Sequence, residues 1–337
     1  MIKVGIVGFG YWGPNLARNF AHANGTLLTT VCDLDAKKLS VAQDMYPYVE
    51  TTQDYRDIIS NTDLDAIAIA TPLSTHFDIA SQALNADKHV LITKPLAPDR
   101  SKAAQLVELA AKRQLTLLVD HTFVYTPAVR KIRELISENS IGTVYYYDST
   151  RINLGIFQHD TSVTWDLATH DLSILDHLLE DQPIAVSANG INHFSGNHEN
   201  IAYLTLFYPS QVIAHINVNW LAPVKVRRTL IGGSEKMIVY DDMEPSEKIK
   251  VYDKGVEITD DPQDIYNFLI SYRSGDMWAP RLDHKEALST EIEHFVRCIE
   301  TGEQPITDGE MGLRIVSILE ASNESVSRRG EPISLDE

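Results

Sequence analysis

Residues 2–13 read IKVGIVGFGYWG, and this stretch decides the fold. Residues 2–7 are a short apolar, β-branched run, the pattern of a buried parallel strand. Gly8, Gly10 and Gly13 follow at once in the spacing G-x-G-x-x-G, and residues 15–23 continue with helical character. In such a strand–turn–helix one glycine makes the tight turn, one lets a pyrophosphate approach the backbone, and one lets helix and strand pack closely. Backbone N–H groups at the helix start then point at the phosphates. A second apolar run, 27–31, ends in Cys32-Asp33, and Asp33 stands 20 residues after Gly13. A carboxylate there takes the ribose hydroxyls of NAD and repels a 2′-phosphate. The expected cofactor is NAD rather than NADP, with Lys37 and Lys38 placed to offset part of that repulsion. A structural glycine turn with an unrelated Asp is the alternative.

Outward from this stretch the alternation continues to residue 121. Strands are expected at 3–7, 27–33, 66–70, 89–92 and 116–119, with a short one at 48–50. Helices are expected at 15–23, 36–44, 55–59, 75–85 and 100–113. This is the rhythm of a doubly wound parallel sheet, whose ligands bind at the carboxyl ends of the strands. The loops at 8–13, 33–35, 71–76, 93–98 and 120–127 therefore face the cofactor. After Pro127 the texture changes. Residues 128–138 and 163–179 carry helical spacing, while 144–150, 184–191, 201–207, 212–220, 226–231 and 237–240 read as strands. Short turns between them indicate an antiparallel or mixed sheet. Residues 241–285 read as irregular, and helices at 285–301 and 308–327 close the chain. The residues indicate an α/β fold: a doubly wound, dinucleotide-binding domain over 1–121, then a larger α/β domain over 122–337 built on an antiparallel or mixed sheet.

With 337 residues the chain is long enough for two cores. Its net charge of −18 argues against a nucleic-acid or anionic-membrane partner, which need basic surface. No stretch approaches a membrane span of roughly 20 apolar residues. The N-terminal run is broken by glycines, so it reads as a strand and not a signal peptide. Two cysteines, Cys32 and Cys298, are too few for a disulfide framework, which points to a reducing, cytoplasmic setting.

Three stretches carry candidate chemistry. In Thr93-Lys94-Pro95 the Lys follows a central strand, where an ammonium can stabilise alkoxide charge beside a nicotinamide. A solvated surface Lys is the alternative. In WDLATHDLSIL, residues 165–175, Asp166 and His170 are one helical turn apart and share a face. A carboxylate so placed can fix the His tautomer for proton transfer near neutral pH. A His satisfied inside an interface is the bland counterpart. D-x-x-x-H supplies only two metal ligands, and His193 and His198 read as turn and surface residues, so no metal is expected. In ATPLSTH, residues 70–76, Thr71, Pro72 and His76 lie at the end of a strand, and Ser74 is placed to cap the next helix. Arg151, Lys225, Arg227, Arg228, Arg273 and Arg281 are candidate anion contacts, most of them expected to be surface charges.

GFGYWG, ATPLSTH, TKP and WDLATHDLSIL, in this order and approximate spacing, resemble the glucose–fructose oxidoreductase/inositol dehydrogenase family (Gfo/Idh/MocA) over essentially the whole chain. The resemblance implies NAD- or NADP-linked oxidation or reduction of hydroxyl carbons in sugars, cyclitols and sugar nucleotides. It also implies an N-terminal Rossmann domain over 1–121 and a C-terminal α+β domain over 122–337 with an open, mostly antiparallel sheet, which serves substrate binding and the interface of a homodimer or homotetramer. Lys94 matches the Lys of the family's E-K-P motif, and Asp166 and His170 match its D-x-x-x-H pair; these three are the catalytic candidates. Gly8, Gly10, Tyr11, Trp12, Gly13, Asp33, Thr71, Pro72, His76 and Lys94 are the cofactor candidates. Thr93 departs from the family's Glu, which removes a charge that would favour protonated Lys94.

Within the family, GYWGPNLARNF, RINLG, WDLATHDLSIL and YRSGDMWAPRL resemble the branch acting on nucleotide-linked sugars, such as UDP-N-acetylglucosamine or its uronate at C3. Arg151, Asn153, Trp165 and His170 are the substrate-contact candidates. On this reading His170 takes the hydroxyl proton, Lys94 stabilises the alkoxide-like charge and Asp166 orients His170. Three other readings stand beside it: a free sugar or inositol dehydrogenase, an NAD-using glycosidase of the same family, and a non-catalytic NAD-binding sensor.

Overall fold

The computed structural model describes residues 1–154, 161–194, 198–258 and 270–335, except the side chains of 254–274. The chain forms two compact units: Met1–Tyr125 with Lys285–Glu320, and Thr126–His284 with Ala321–Glu337.

The first unit is built on six strands: β1 (Ile2–Val7), β2 (Thr26–Cys32), β3 (Glu50–Thr52), β4 (Ala66–Ile69), β5 (His89–Thr93) and β6 (Leu117–Asp120). They pair in the order β3-β2-β1-β4-β5-β6, and every pair is parallel. The reversal between β1 and β4 is the crevice where such sheets bind dinucleotides. The central strands are apolar throughout because helices cover both faces; Val4, Ile6, Ile67, Ile69 and Leu91 are fully buried. The helices between them are α1 (Gly13–His22), α2 (Ala36–Met45), α3 (Tyr55–Ser60), α4 (His76–Asn85) and α5 (Arg100–Arg113). Asp35, Asp54 and Asp99 cap α2, α3 and α5 by accepting from Lys37, Arg56 and Lys102 N–H groups at 2.8–2.9 Å. Each such cap is worth about 1 kcal/mol.

The division at residue 121 is not the one the fold adopts at the far end of the chain. Helix α8 (Ala287–Thr301) buries Leu288, Ile292, Phe295 and Val296 in the same core as Leu16 and Phe20 of α1. Phe295 meets Phe20 edge-to-face at 6.3 Å. The spacing 288, 292, 295 marks an apolar helical stripe, but a stripe does not say which core it covers.

In the second unit nine strands pair in one mixed sheet. They are β7 (Val144–Ile152), β8 (Ala185–Ile191), β9 (Ile201–Phe207), β10 (Ile213–Asn219), β11 (Val226–Gly233), β12 (Met237–Asp241), β13 (Ile249–Ile258), β14 (Ile270–Trp278) and β15 (Ile333–Ser334). Their order is β14-β13-β12-β11-β7-β10-β9-β8-β15, with β7 and β10 parallel and all other neighbours antiparallel. Alternate residues such as Leu204, Leu206, Ala214, Ile216 and Val218 are buried on one face, where α6 (Pro127–Ser137) and α7 (Thr169–Leu178) belong to the same unit. Two strands, β13 and β14, occupy the stretch read as irregular. Lys250, Asp253 and Lys254 interrupt the apolar alternation of β13, and β14 is a sheet edge, where charge is tolerated. α9 (Gly309–Ser327) is the last helix before β15, and no described helix is long and apolar enough to cross a membrane.

Candidate active site

The glycine loop leaves β1 through Gly8 at φ +99°, a left-handed conformation, and a Cβ there would lie 2.3 Å from the Ala70 carbonyl oxygen. A Cβ on Gly13 would lie 2.2 Å from the Gly8 carbonyl oxygen. Gly10 differs: its nearest neighbour would be Lys38 Nζ at 3.9 Å, so the space beside it is an open cradle that a side chain would fill. Two glycines therefore serve the chain's own packing, and the third leaves room for a phosphate. Asp33 holds this loop in place. Its Oδ2 accepts the Phe9 N–H at 2.7 Å, its Oδ1 accepts the Asp35 N–H at 2.9 Å, and Lys38 Nζ lies 3.5 Å away. Tyr11 is exposed and stacks against Trp12, whose indole donates to Asp120. The loop fits NAD: Gly8 and Gly13 set the tight backbone turn, Gly10 leaves room for a pyrophosphate, and the Asp33 carboxylate stands at the end of β2 where a ribose would lie.

The ATPLSTH and TKP loops are tied together by His76. It is 1% exposed, its Nδ1 lies 2.8 Å from the Pro95 carbonyl oxygen and its Nε2 2.9 Å from that of Thr71. Burial pushes its pKa down. His76 is thus an internal strut and not a surface for the cofactor. Thr93 Oγ1 lies 3.4 Å from His76 Nε2, so a Glu at 93 would face this imidazole. The expected Ser74 cap does not form. α4 starts at His76, and Thr75 Oγ1 at its N-cap turns to Thr71 Oγ1 and the Pro72 carbonyl, both at 2.8 Å. Lys94, half-buried, follows β5 directly, at the carboxyl edge of the sheet.

In the second unit WDLATHDLSIL is not one continuous α-helix. Thr164–Ala168 is a π-helical turn leading into α7. Such turns insert one residue and re-aim the side chains around them. From 162 to 175 every residue is buried except Asp166 and His170, which alone remain open. Asp166 Oδ2 accepts the Trp220 indole N–H at 3.1 Å. Arg151 and Asp171 lie beneath. Arg151 Nε donates to Asp171 Oδ2 at 2.6 Å, Nη2 to Oδ1 at 3.3 Å, and Ser149 Oγ to Oδ1 at 2.6 Å. Burial works against the Arg151 charge, but the Asp171 carboxylate outweighs it and holds its pKa above the ordinary value. Arg151, at 4% exposure, is therefore the anchor of α7 on β7. Trp165, at 6% exposure, is likewise packed inside the unit. Asn153 is half-buried, its N–H donating to the Asn219 carbonyl at 3.0 Å. Lys225, Arg228 and Arg281 are exposed, Arg227 pairs with Asp242 at 3.3 Å, and the Arg273 side chain lies outside the described residues.

An oxidoreductase family model with an NAD-binding Rossmann fold matches residues 2–121, and a GFO/IDH/MocA C-terminal domain model matches residues 129–239. The chain belongs to the Gfo/Idh/MocA oxidoreductase family. Among relatives in that family, UDP-N-acetylglucosamine 3-dehydrogenase of Acidithiobacillus ferrooxidans is 25% identical over 94% of both chains. Its solved structure gives a TM-score of 0.80 over 97% of this chain and 98% of that one. Myo-inositol 2-dehydrogenase of Thermotoga maritima is 20% identical over 97% of both chains. A levoglucosan dehydrogenase solved with NADH and levoglucosan shares the fold at a TM-score of 0.85, with 18% identity and complete coverage of both chains.

One residue of this Gfo/Idh/MocA chain escaped the sequence reading. His121 follows β6 as Lys94 follows β5, and Thr93 pairs with Asp120 across the two strands. His121 is 1% exposed, and among the described residues neither ring nitrogen has a hydrogen-bond partner. Its pKa is pushed down to about 3, by burial first and then by the Lys94 charge. Its place in the loop at 120–127 was a signal, but its polar sequence neighbours, Asp120 and Thr122, gave no sign of its burial. A cluster of His294, Cys298 and Glu303 also forms, with Arg297 already among them, its Nη2 at 2.7 Å from His294 and its Nε at 2.5 Å from Glu303.

Two outcomes follow from these geometries. Arg151→Met leaves Asp171 buried without its cation and should cost about 3–5 kcal/mol of stability. Urea unfolding measures it, and a loss near zero would contradict the anchor. For His121 the folded pKa lies below the ordinary 6.5, so its stability contribution is present above 6.5 and lost as pH falls toward 3. His121→Phe should therefore show a shallower acid loss than the parent between pH 7 and 4; parallel curves would refute the depressed imidazole.

Proposed function

We propose that this Gfo/Idh/MocA oxidoreductase is an NAD-dependent sugar dehydrogenase that oxidises, or in reverse reduces, the C3 ring hydroxyl of a nucleotide-linked sugar such as UDP-N-acetylglucosamine or its uronate. The observation that carries a catalytic reading is the pair Asp166 and His170, left open in an otherwise buried run. Bound NAD supplies the hydride acceptor. His170 takes the hydroxyl proton as general base, and Asp166, itself held by Trp220, orients it. Lys94 stabilises the negative charge that develops on the oxygen, and its charge in turn helps keep His121 neutral. The similarity to UDP-N-acetylglucosamine 3-dehydrogenase supports the substrate class. The burial of Arg151 favours the second reading, a free sugar or inositol substrate, because it withdraws one candidate contact for a diphosphate.

His170→Asn and Lys94→Ala should each lower turnover by about 10² or more. The assay is NADH absorbance with UDP-N-acetylglucosamine, its uronate, UDP-glucose, myo-inositol and glucose. Signal from a UDP-sugar alone supports the proposal, signal from a free polyol replaces it with the second reading, and near-normal rates in both variants would remove the assigned roles.

We also infer a homodimer or homotetramer built on the outer face of the nine-stranded sheet. Tyr203 and Ile213 are 45% and 46% exposed there, with Tyr146 beside Ile213 in register. Replacing Tyr203 and Ile213 together with Glu should reduce the mass seen by light scattering to that of a single chain; an unchanged mass would contradict this interface.

A further inference from the structure

The most deeply buried acidic groups of the first unit lie where α8 passes the end of β6. Glu291 is 0% and Asp120 4% exposed. Asp120 is well supplied with donors: the Trp12 indole reaches its Oδ2 and the Thr122 hydroxyl its Oδ1. Glu291 is not. Neither of its oxygens has a hydrogen-bond partner among the described residues; the groups that bear on it are the Asp120 carboxylate and the Thr122 hydroxyl, whose single proton goes to Asp120. The remaining titratable group beside it is Tyr125, whose hydroxyl lies 3.1 Å from Thr307 Oγ1.

An ionised carboxylate buried without a donor costs several kcal/mol, and two carboxylates side by side cannot both ionise. One proton between them removes both penalties. The protonated group then becomes a donor, and the orphaned oxygen gains a partner.

We propose that Glu291 keeps its proton and donates it in a hydrogen bond to the Asp120 carboxylate, and that this acid–carboxylate pair is the positioning device that holds Trp12, and with it the glycine loop, ready for NAD. The chain of contacts runs from α8 through Glu291 and Asp120 to the Trp12 indole, between Gly10 and Gly13. Fixing that indole leaves less of the loop to order when the pyrophosphate arrives. Burial, and then the neighbouring Asp120, push the Glu291 pKa well above the ordinary carboxyl range. The unfolded chain therefore releases this proton at a lower pH than the folded protein does. Stability present under acid conditions is lost as pH rises toward the folded pKa.

The test uses the full chain without any sugar. Thermal unfolding is followed from pH 5 to 9, and NAD affinity is read by calorimetric titration at pH 7. Glu291→Gln keeps a donor toward Asp120 and has no proton to lose. It should flatten the alkaline loss of stability and bind NAD within about twofold of the parent. Glu291→Leu removes the donor and should weaken NAD by about tenfold. Trp12→Phe should weaken NAD similarly while keeping the parent's alkaline loss, because only the link to the loop is cut. A parent-like pH slope in Glu291→Gln would overturn the proton assignment. NAD affinity unchanged in Trp12→Phe would overturn the positioning role, even if Glu291→Leu fails to fold.

Discussion

The first unit depends on how closely its backbone approaches itself at the end of β1. Gly8 and Gly13 sit where any side chain would collide with a carbonyl oxygen, of Ala70 in one case and of Gly8 in the other. Such contact distances leave no freedom to relax, because the opposing atoms belong to backbone and not to flexible side chains. The turn is therefore rigid, and its shape leaves Gly10 open to a phosphate. Asp33 adds to this by accepting the Phe9 N–H, so the residue that reads as a ribose ligand also braces the loop. Two backbone donors already fix this carboxylate in place.

The second unit rests on a different interaction. Arg151 and Asp171 form a buried, two-pronged ion pair joining β7 to α7, with Ser149 as a third partner. Everything displayed by α7 depends on that pin. Above it the π-helical turn at Thr164–Ala168 breaks the regular phase, and between 162 and 175 only Asp166 and His170 escape full burial. The same logic recurs at β6, where His121 and Asp120 are polar groups kept inside at a cost in solvation. In each place burial of a charged or polar group is matched by a named partner or falls on a residue beside the cofactor loop.

Much of this was legible beforehand for physical reasons. Parallel strands covered on both faces must be apolar along their length, so β1, β4 and β5 announce themselves. Glycine spacing reports on backbone clashes, which are local. Harder to read were the features created by partners remote in sequence. β13 and β14 carry too much charge to stand out, and they are strands because neighbouring strands supply their hydrogen bonds. The helix at 285–301 was expected, but not that its core is the one built by α1. His76 looked like a cofactor residue and is a strut, since carbonyls from two separate loops close around it.

The sequence by itself determined the Rossmann unit, the place of the glycine loop, the acidic residue at the end of β2, and the two segments that carry Lys94 and Asp166 with His170. These follow from near-neighbour rules: strand and helix periodicity, backbone sterics and the reach of one helical turn. Only the tertiary structure decided that Arg151 anchors a helix from within, that His121 is buried beside the Lys94 charge, and that Glu291 is fully buried on α8. Whether a charged side chain faces water or another charge depends on which distant segment packs over it, and no local pattern encodes that.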